Sequence, residues 1–139
     1  METSLSENIT PELWRSFRQL AKAIDSPMPG SYSVQVYPAG TKVEVYNPLL
    51  EFDKWAAVAV DSWESVPAGL ETLLLPTGTY AKFIHHGPAH TFFKLMTHIM
   101  TEWLPSSGFR LAERPYFEFM PPEYKGPMHP EAEEEVWIP

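Results

Sequence analysis

A single carboxylate, Glu118, stands among aromatic side chains in the segment PYFEFM at residues 115–120. In an extended strand Glu118 shares a face with Tyr116, whereas Phe117 points to the opposite face. A carboxylate on an apolar surface is costly unless it is paired or near water, and burial raises its pKa. A bound cation would restore the ionised form, and nearby rings would add cation–π attraction of ~0.5–2 kcal/mol each. The residues alone favour the simpler interpretation, an exposed glutamate or a salt bridge to Arg114 or Lys82.

Histidines form a second group of chemically able side chains: His85, His86 and His90 are close in sequence, and His98 follows. A zinc site needs converging ligands, but His85 and His86 point to opposite faces of a strand. No metal site is therefore expected. The chain also contains no Gly-x-Ser-x-Gly motif and no glycine-rich phosphate loop, so we predict neither a serine nucleophile nor a cofactor.

Composition narrows the classes of partner. The formal net charge of -8 disfavours nucleic acid and anionic membrane surfaces, and it is compatible with a cationic ligand. The absence of cysteine excludes disulfides, thiolate metal sites and cysteine nucleophiles. No secretory signal and no apolar run of membrane-spanning length occur, so we predict a cytoplasmic protein with neither membrane nor direct nucleic acid partners. The acidic run from Glu131 to Glu135 is interpreted as a solvated face.

Patterns of apolar residues predict the elements that must position these groups. A first helix begins at Thr10-Pro11 and keeps helical spacing as far as Ile24. A second opens at Pro88 and carries an apolar stripe to Trp103, where the sequence LPSSG ends it. Alternating or β-rich runs predict strands at residues 31–37, 54–60, 70–75, 79–86, 115–120 and 136–138, with a short extension at 41–46.

The order of these elements repeats along the chain. Residues 10–60 give helix, strand, strand, and residues 79–139 give strand, helix, strand, strand. Two such units, related by a pseudo-twofold axis, would form one α+β domain over residues 1–139, with helices on antiparallel sheets. A groove between the units is a natural ligand cleft. The aromatic content of 14%, including five tryptophans, exceeds what a core needs and is typical of pockets or interfaces.

Four stretches together resemble one protein family. The segment YAKFIHHG resembles the family motif YAxFxHxG, and WLPSSGF resembles WLPxSGY, with Phe109 in place of tyrosine. The strand PYFE resembles PxFE, and the closing EVWIP resembles EIYIP. Each motif alone is weak, but four in the same order are specific. The chain therefore resembles a GyrI-like effector-binding domain, the ligand-binding module also fused to AraC-type and MerR-type transcription regulators.

The resemblance implies a ligand site and its residues. Family members bind bulky, often lipophilic cations in a central cleft. A glutamate in the FE strand faces that cleft, and Glu118 holds this position; the aromatic of the closing strand, here Trp137, also faces it. The other candidates for the site are Tyr80, from its motif, Tyr37, from its strand position, and Trp103 and Trp14, which would wall the cleft from the core side. His85 falls on the motif histidine and is expected to form hydrogen bonds near the cleft.

The chain departs from the family pattern in two ways. The family has a strand before its first helix, and here only residues 1–9 precede that helix, so the first strand is expected to be missing. Either residues 1–5 form a stub, or the sequence starts late, or another copy covers the open edge, which would suit a homodimer. There is also no room upstream for the helix-turn-helix of the fused regulators, so direct DNA binding is not expected.

Three functions stay open at this point. The first is a standalone domain that binds an amphipathic, cationic small organic molecule in an aromatic cleft, with Glu118 as the counter-charge. The second follows from relatives that hydrolyse cyclopropane-bearing compounds: hydrolysis of an electrophile, with Glu118 as base or water-orienting group and Tyr80 as acid or hydrogen-bond donor. The third is a protein-binding inhibitor of a larger enzyme such as gyrase, because one bacterial relative is linked to gyrase inhibition.

Overall fold

The computed structural model describes residues 2–4, 10–24, 28–41, 49–63 and 66–139. Within these ranges six antiparallel strands form one sheet, in the order β1-β3-β2-β5-β6-β4. The strands are β1 (Glu2–Ser4), β2 (Ser31–Val36), β3 (Glu51–Ala57), β4 (Ala81–His86), β5 (Tyr116–Met120) and β6 (Glu133–Ile138). The α-helices are α1 (Thr10–Ala21), α2 (Phe92–His98) and α3 (Leu104–Ser107). The predicted α+β class is therefore confirmed.

The order strand, helix, strand, strand occurs twice. The first set is β1, α1, β2 and β3, and the second is β4, the helical segment at residues 89–107, β5 and β6. In each set the last strand pairs with both other strands of its set. Strands β2 and β5 then join the two sets at the middle of the sheet.

Alternate side chains go to opposite faces of this sheet. Glu118 on β5 lies opposite Ser33 on β2 and Val136 on β6, so these three share one face. Phe117 lies opposite Trp137 and points to the other side. We call the first the helix face, because the helical segment packs on it, and the second the aromatic face.

The core lies between the helix face and the helical segment. Its most buried member is Ile99, which has no exposed surface. The buried cluster consists of Met96, Ile99, Met100, Leu104, Tyr116, Val136 and Ile138. Full burial of one such aliphatic side chain stabilises the fold by ~1.5–3 kcal/mol, so this side of the sheet anchors β5 and β6.

The second helix runs further than predicted and changes type along its length. A 3-10 turn at Ala89–Thr91 leads into α2, a π-helical turn follows at Ile99–Trp103, and α3 completes the segment. Pro105 lies inside α3, although it cannot donate a backbone hydrogen bond; the π turn before it shifts the hydrogen-bond register. The segment ends at Gly108, whose φ of 78° is left-handed and suits glycine.

Several predicted boundaries are wrong. Strand β3 begins at Glu51 rather than residue 54, and β6 begins at Glu133 rather than Val136. Residues 70–75, predicted as a strand, have no regular structure and do not pair in the sheet; their leucines line the cleft described below. The extension at 41–46 lies outside the described residues, apart from Thr41.

A strand does precede the first helix, contrary to expectation. Strand β1 has three residues and pairs with β3, with Thr3 opposite Phe52. A stub of this kind was one of the three alternatives left open by the sequence. Three residues are too few to show an alternating pattern, which is why periodicity did not reveal the strand.

Candidate ligand-binding site

A partly open cleft of about 970 Å³ lies against the aromatic face of the sheet. Helix α1 contributes Leu13 and Phe17 to its lining, and the long connection between β3 and β4 contributes Leu73 and Leu75. The sheet contributes the rings of Tyr32, Trp55, Phe117, Phe119 and Trp137. A concavity of this size with a mainly apolar lining is typical of a site for a small organic molecule.

The rings from the sheet form an ordered platform. Phe117 and Trp137, which face each other across β5 and β6, stack with 5.5 Å between ring centroids and 12° between planes. Tyr32 on β2 packs against Phe119 and Phe117, with centroid distances of 5.0 and 5.9 Å. Because each ring is held by a neighbour on the adjacent strand, the platform needs little ordering when a flat ligand binds.

The charged groups on the lining are mostly acidic. Glu135 is half-buried, and its Oε1 accepts a hydrogen bond of 3.0 Å from the indole Nε1 of Trp137. Asp53 and Glu71 also line the cleft and are exposed. Lys54 lies on the lining too, but its ammonium charge acts on two carboxyl groups of the helix face. The charges on the lining are therefore mainly negative.

Behind the sheet, the helix face carries a buried polar cluster made of Lys54, His85, Glu118 and Glu134. Glu118 is 9% exposed and His85 only 4%. Hydrogen bonds join His85 Nδ1 to Glu134 Oε1 at 2.8 Å and His85 Nε2 to Thr91 Oγ1 at 2.9 Å. His85 therefore forms hydrogen bonds, as expected, but it lies under the helical segment, on the face of the sheet opposite the cleft.

Burial controls protonation in this cluster. The pKa of Glu118 is raised to about 8: burial is the main cause and Glu134 adds to it, while Lys54 and His85 partly offset the increase. Burial also raises the pKa of Glu134 and lowers the pKa of His85. At neutral pH Glu118 is therefore mainly protonated and carries little negative charge.

The histidines do not assemble a metal centre in the described part of the chain. His85 is buried, whereas His86 is exposed on the other face, with Nε2 4.0 Å from Glu133. His98 pairs with Glu102 one helical turn away, at 2.6 Å. Among the residues that the structure describes, no three His, Asp or Glu side chains converge as metal ligands.

Comparison with known proteins gives the family. The family model of the GyrI-like small molecule binding domain matches residues 1–139, the whole chain. This chain belongs to the GyrI-like family. The resemblance drawn from the four motifs is confirmed, and small-molecule binding is the property that the family carries. A search among curated proteins found no match. In the described ranges of this GyrI-like domain, no helix has the length and apolarity needed to cross a membrane.

Two of the side chains predicted for the ligand site of this GyrI-like domain lie together. Trp137 lines the cleft. Tyr80 packs edge-on against Phe117 and Trp137, with centroid distances of 5.4 and 6.1 Å, and its hydroxyl donates a hydrogen bond of 3.0 Å to the carbonyl of Pro115. Burial raises the pKa of the Tyr80 hydroxyl, which stays neutral at physiological pH.

The other predicted side chains lie elsewhere. Glu118 is on the helix face, as is Tyr37, which packs against Tyr116 at 5.4 Å. Trp103 lies on the helical segment and packs edge-on against Phe83, which borders the core under that segment. Trp14 lies on α1, where its ring contacts the cleft residue Phe17 at 5.7 Å. The sheet thus separates Glu118 from Trp137.

The sequence did not single out most of the rings that line the cleft. Phe117 was recognised only as pointing away from Glu118, and Tyr32, Trp55 and Phe119 only as residues of predicted strands. The signal was present in the alternation of β2 and β5, which puts Tyr32, Phe117 and Phe119 on one face. This alternation could be interpreted only once the strand pairing was known, because the pattern within one strand does not show which residues of the neighbouring strands lie on the same face.

The sequence suggested that the acidic run from Glu131 to Glu135 is one solvated face, and the structure shows that it is not. Glu134 is 5% exposed, and Glu135 is half-buried on the cleft, whereas Glu131 and Glu133 are exposed. The cause is that β6 already begins at Glu133, so successive carboxylates point to opposite faces of the sheet.

Thr91 links the buried polar cluster to the start of the helical segment, and its loss should be measurable. Its Oγ1 contacts His85 and donates to the carbonyl of Pro88 at 2.8 Å. Thr91→Val keeps the shape of the side chain but removes both hydrogen bonds, so we expect the free energy of unfolding to fall by ~1–2 kcal/mol. Urea denaturation measures this. Thr101→Val, which removes an exposed hydroxyl, is the control and should change stability by less than ~0.5 kcal/mol.

Proposed function

We propose that this GyrI-like domain binds an amphipathic organic cation in the cleft on the aromatic face. The observation that carries the proposal is the platform of stacked rings, which lies at the base of a cleft. The charged side chains that line this cleft are mainly carboxylates. Rings bury the apolar part of such a ligand and attract its positive charge through their faces. The negative net charge of the whole chain, -8, also attracts cations.

We further propose that the strands of the two sets are related by a pseudo-twofold axis between β2 and β5, and that the cleft is shared by both sets. The helices do not follow this relation, because α1 lines the cleft on the aromatic face whereas the helical segment packs on the helix face. The strand order β1-β3-β2 in one set and β4-β6-β5 in the other supports this relation. The lining draws on α1, β2 and β3 from the first set and on β5 and β6 from the second. A ligand would therefore tie the two sets together and stabilise the fold on binding.

The role of Glu118 as counter-charge stays a prediction. To meet this carboxyl group a ligand would have to enter the helix face, where the cavity beside Gln35 and Glu118 measures about 10 Å³. That space holds about one water molecule. The hydrolase alternative paired Glu118 with Tyr80, whose side chain packs with the rings of the opposite face, so no observation favours it.

Binding can be tested with a matched pair of probes. (2-Naphthylmethyl)trimethylammonium is a cationic aromatic, and 2-neopentylnaphthalene is its neutral isostere, with carbon in place of nitrogen. Calorimetry or quenching of tryptophan fluorescence should show saturable binding of the cation to the wild type. Trp137→Leu removes one ring of the platform and should weaken binding of either probe by about 10-fold, since an aromatic contact contributes ~0.5–1.5 kcal/mol beyond its buried area.

The control is Phe109→Ala, because this ring is 68% exposed and lies outside the cleft. Its affinities should match those of the wild type. Phe119→Leu provides a second test in case Trp137→Leu does not fold. A wild type that binds neither probe would overturn the proposal, and so would two folded cleft variants that bind both probes as tightly as the wild type.

A further inference from the structure

A chain of hydrogen bonds runs through the buried polar cluster on the helix face, and its direction is fixed at one end. The carbonyl oxygen of Pro88 can only accept, and Thr91 Oγ1 donates its single proton to it at 2.8 Å. Thr91 Oγ1 is therefore the acceptor in its 2.9 Å contact with Nε2 of His85. It follows that Nε2 of His85 carries a proton.

The next links of the chain are Glu134 and Glu118. One proton lies between Nδ1 of His85 and Oε1 of Glu134, which are 2.8 Å apart. Burial is the main cause of the raised pKa of both glutamates, and a hydrogen bond between their side chains raises the pKa of Glu118 further while it lowers that of Glu134. A bond with these two effects has its proton on Glu118, so Glu118 donates and Glu134 accepts. The second oxygen of Glu118 is then an acceptor.

Another acceptor, on β2, borders the same space. Gln35 is 3% exposed, and its Oε1 has no hydrogen-bond partner among the described residues. Gln35 lies opposite Tyr116 and Ser33 lies opposite Glu118, so Gln35 and Glu118 are diagonal neighbours on the helix face. Both residues line a cavity of about 10 Å³. Because a buried amide oxygen without a partner is costly, the cavity is a place for a donor that the described side chains do not supply.

The two ends of this chain are both acceptors, so one member must donate twice. From Glu118 to Pro88 each link uses one donor and one acceptor, and every proton points towards Pro88. Across the cavity the second oxygen of Glu118 and Oε1 of Gln35 are two acceptors, which cannot bond to each other. A water molecule donates two protons, and it needs a cavity of at least ~10–15 Å³ with two or more polar partners. The cavity meets this requirement at its lower limit.

We propose that this cavity is a binding site for one water molecule, which donates to Oε1 of Gln35 and to the second oxygen of Glu118. The completed chain uses one residue from each of four neighbouring strands, β2, β5, β6 and β4, and ends at the first turn of the helical segment. The water therefore joins the first set of elements to the second on the helix face. This inference is independent of ligand binding in the cleft, which lies on the opposite face.

A crystal structure of the whole chain at about 1.2 Å resolution tests the site directly, because the positions of hydrogens begin to be visible there. We expect one water oxygen at ~2.5–3.0 Å from both Gln35 Oε1 and an oxygen of Glu118. A cavity without electron density would overturn the proposal. A Gln35 side chain rotated so that its amide nitrogen donates directly to Glu118 would also overturn it.

Oxygen-17 magnetic relaxation dispersion tests the site in solution, because it counts water molecules that stay inside the protein. Gln35→Met replaces the amide with an apolar side chain of similar length and should lower this count by one. Ser33→Ala is the matched control and should leave the count unchanged. Ser33 is also 3% exposed with an unpartnered Oγ, but it does not line the cavity. Equal counts for the wild type and a folded Gln35→Met variant would contradict the proposal.

Nitrogen-15 NMR of His85 tests the direction of the chain without any substitution. We expect a proton bound to Nε2, because Thr91 gives its own proton to Pro88. A deprotonated Nε2 would mean that Thr91 donates to the imidazole instead. The direction of the chain would then no longer be set by Pro88, and the assignment of a doubly donating water would fail.

Discussion

Replacing Glu118 with glutamine should abolish most of the decrease in stability that the wild type shows as the pH rises from about 5 to about 8. A glutamate in the unfolded chain titrates near 4.5, whereas burial raises the pKa of Glu118 to about 8 in the folded protein. In that window the folded state holds a proton that the unfolded state has released, so the free energy of unfolding falls as the pH rises. A pKa difference of this size corresponds to a loss of roughly 3–4 kcal/mol between pH 5 and pH 8.

Two neighbours of Glu118 modify this pH dependence. Burial raises the pKa of Glu134, so its ionisation also lowers the free energy of unfolding as the pH rises above its unfolded pKa. Burial lowers the pKa of His85 below its ordinary 6.5, so His85 lowers the free energy of unfolding as the pH falls below that value. His85 therefore opposes the two carboxyls below about pH 6.5, and the steepest loss of stability is expected between about pH 6.5 and pH 8.

Urea denaturation at about pH 5, 6.5 and 8 measures the effect. The curve for Glu118→Gln should be nearly flat where the wild type declines, and the variant should be the more stable protein at pH 8. Glu133→Gln removes an exposed carboxylate from the same sheet and should keep the pH dependence of the wild type. A Glu118→Gln variant that declines as steeply as the wild type would show that the proton is held elsewhere.

The sequence predicted the division of β5 into two faces but not which face carries the cleft. Alternation places Glu118 with Tyr116 and away from Phe117, as the structure confirms. Both faces of this strand carry rings, so composition could not distinguish a core face from a ligand face. The distinction arises where the helical segment packs, which depends on contacts between Tyr116 and residues far away in sequence, such as Met96.

The end of the chain shows how sheet pairing can override local preference. Glu133, Glu134 and Glu135 have low strand propensity, so the pattern predicted a strand only from Val136. In the structure this segment pairs with β4 on one side and with β5 on the other, and the ladder extends through the glutamates. The buried Glu134 and the cleft residue Glu135 therefore could not be recognised within a run that resembles a solvated surface.

Lys54→Met should destabilise the protein by ~3 kcal/mol near pH 8 and much less near pH 5. Lys54 is 9% exposed, and its positive charge lowers the pKa of both Glu118 and Glu134. Removing one partner from a group of buried charges costs ~3–5 kcal/mol when the remaining charge cannot be neutralised. Near pH 5 both carboxyls hold their protons more readily, and methionine retains the aliphatic packing of the lysine stem.

The pH dependence of this loss separates charge from packing. Lys82→Met, an exposed substitution on β4, serves as the control and should cost less than ~0.5 kcal/mol at either pH. The double variant Lys54→Met with Glu118→Gln should recover a large part of the loss at pH 8, because fewer carboxylates then need a partner. An equal loss at both pH values, with no recovery in the double variant, would mean that Lys54 stabilises the helix face through its aliphatic stem rather than its charge.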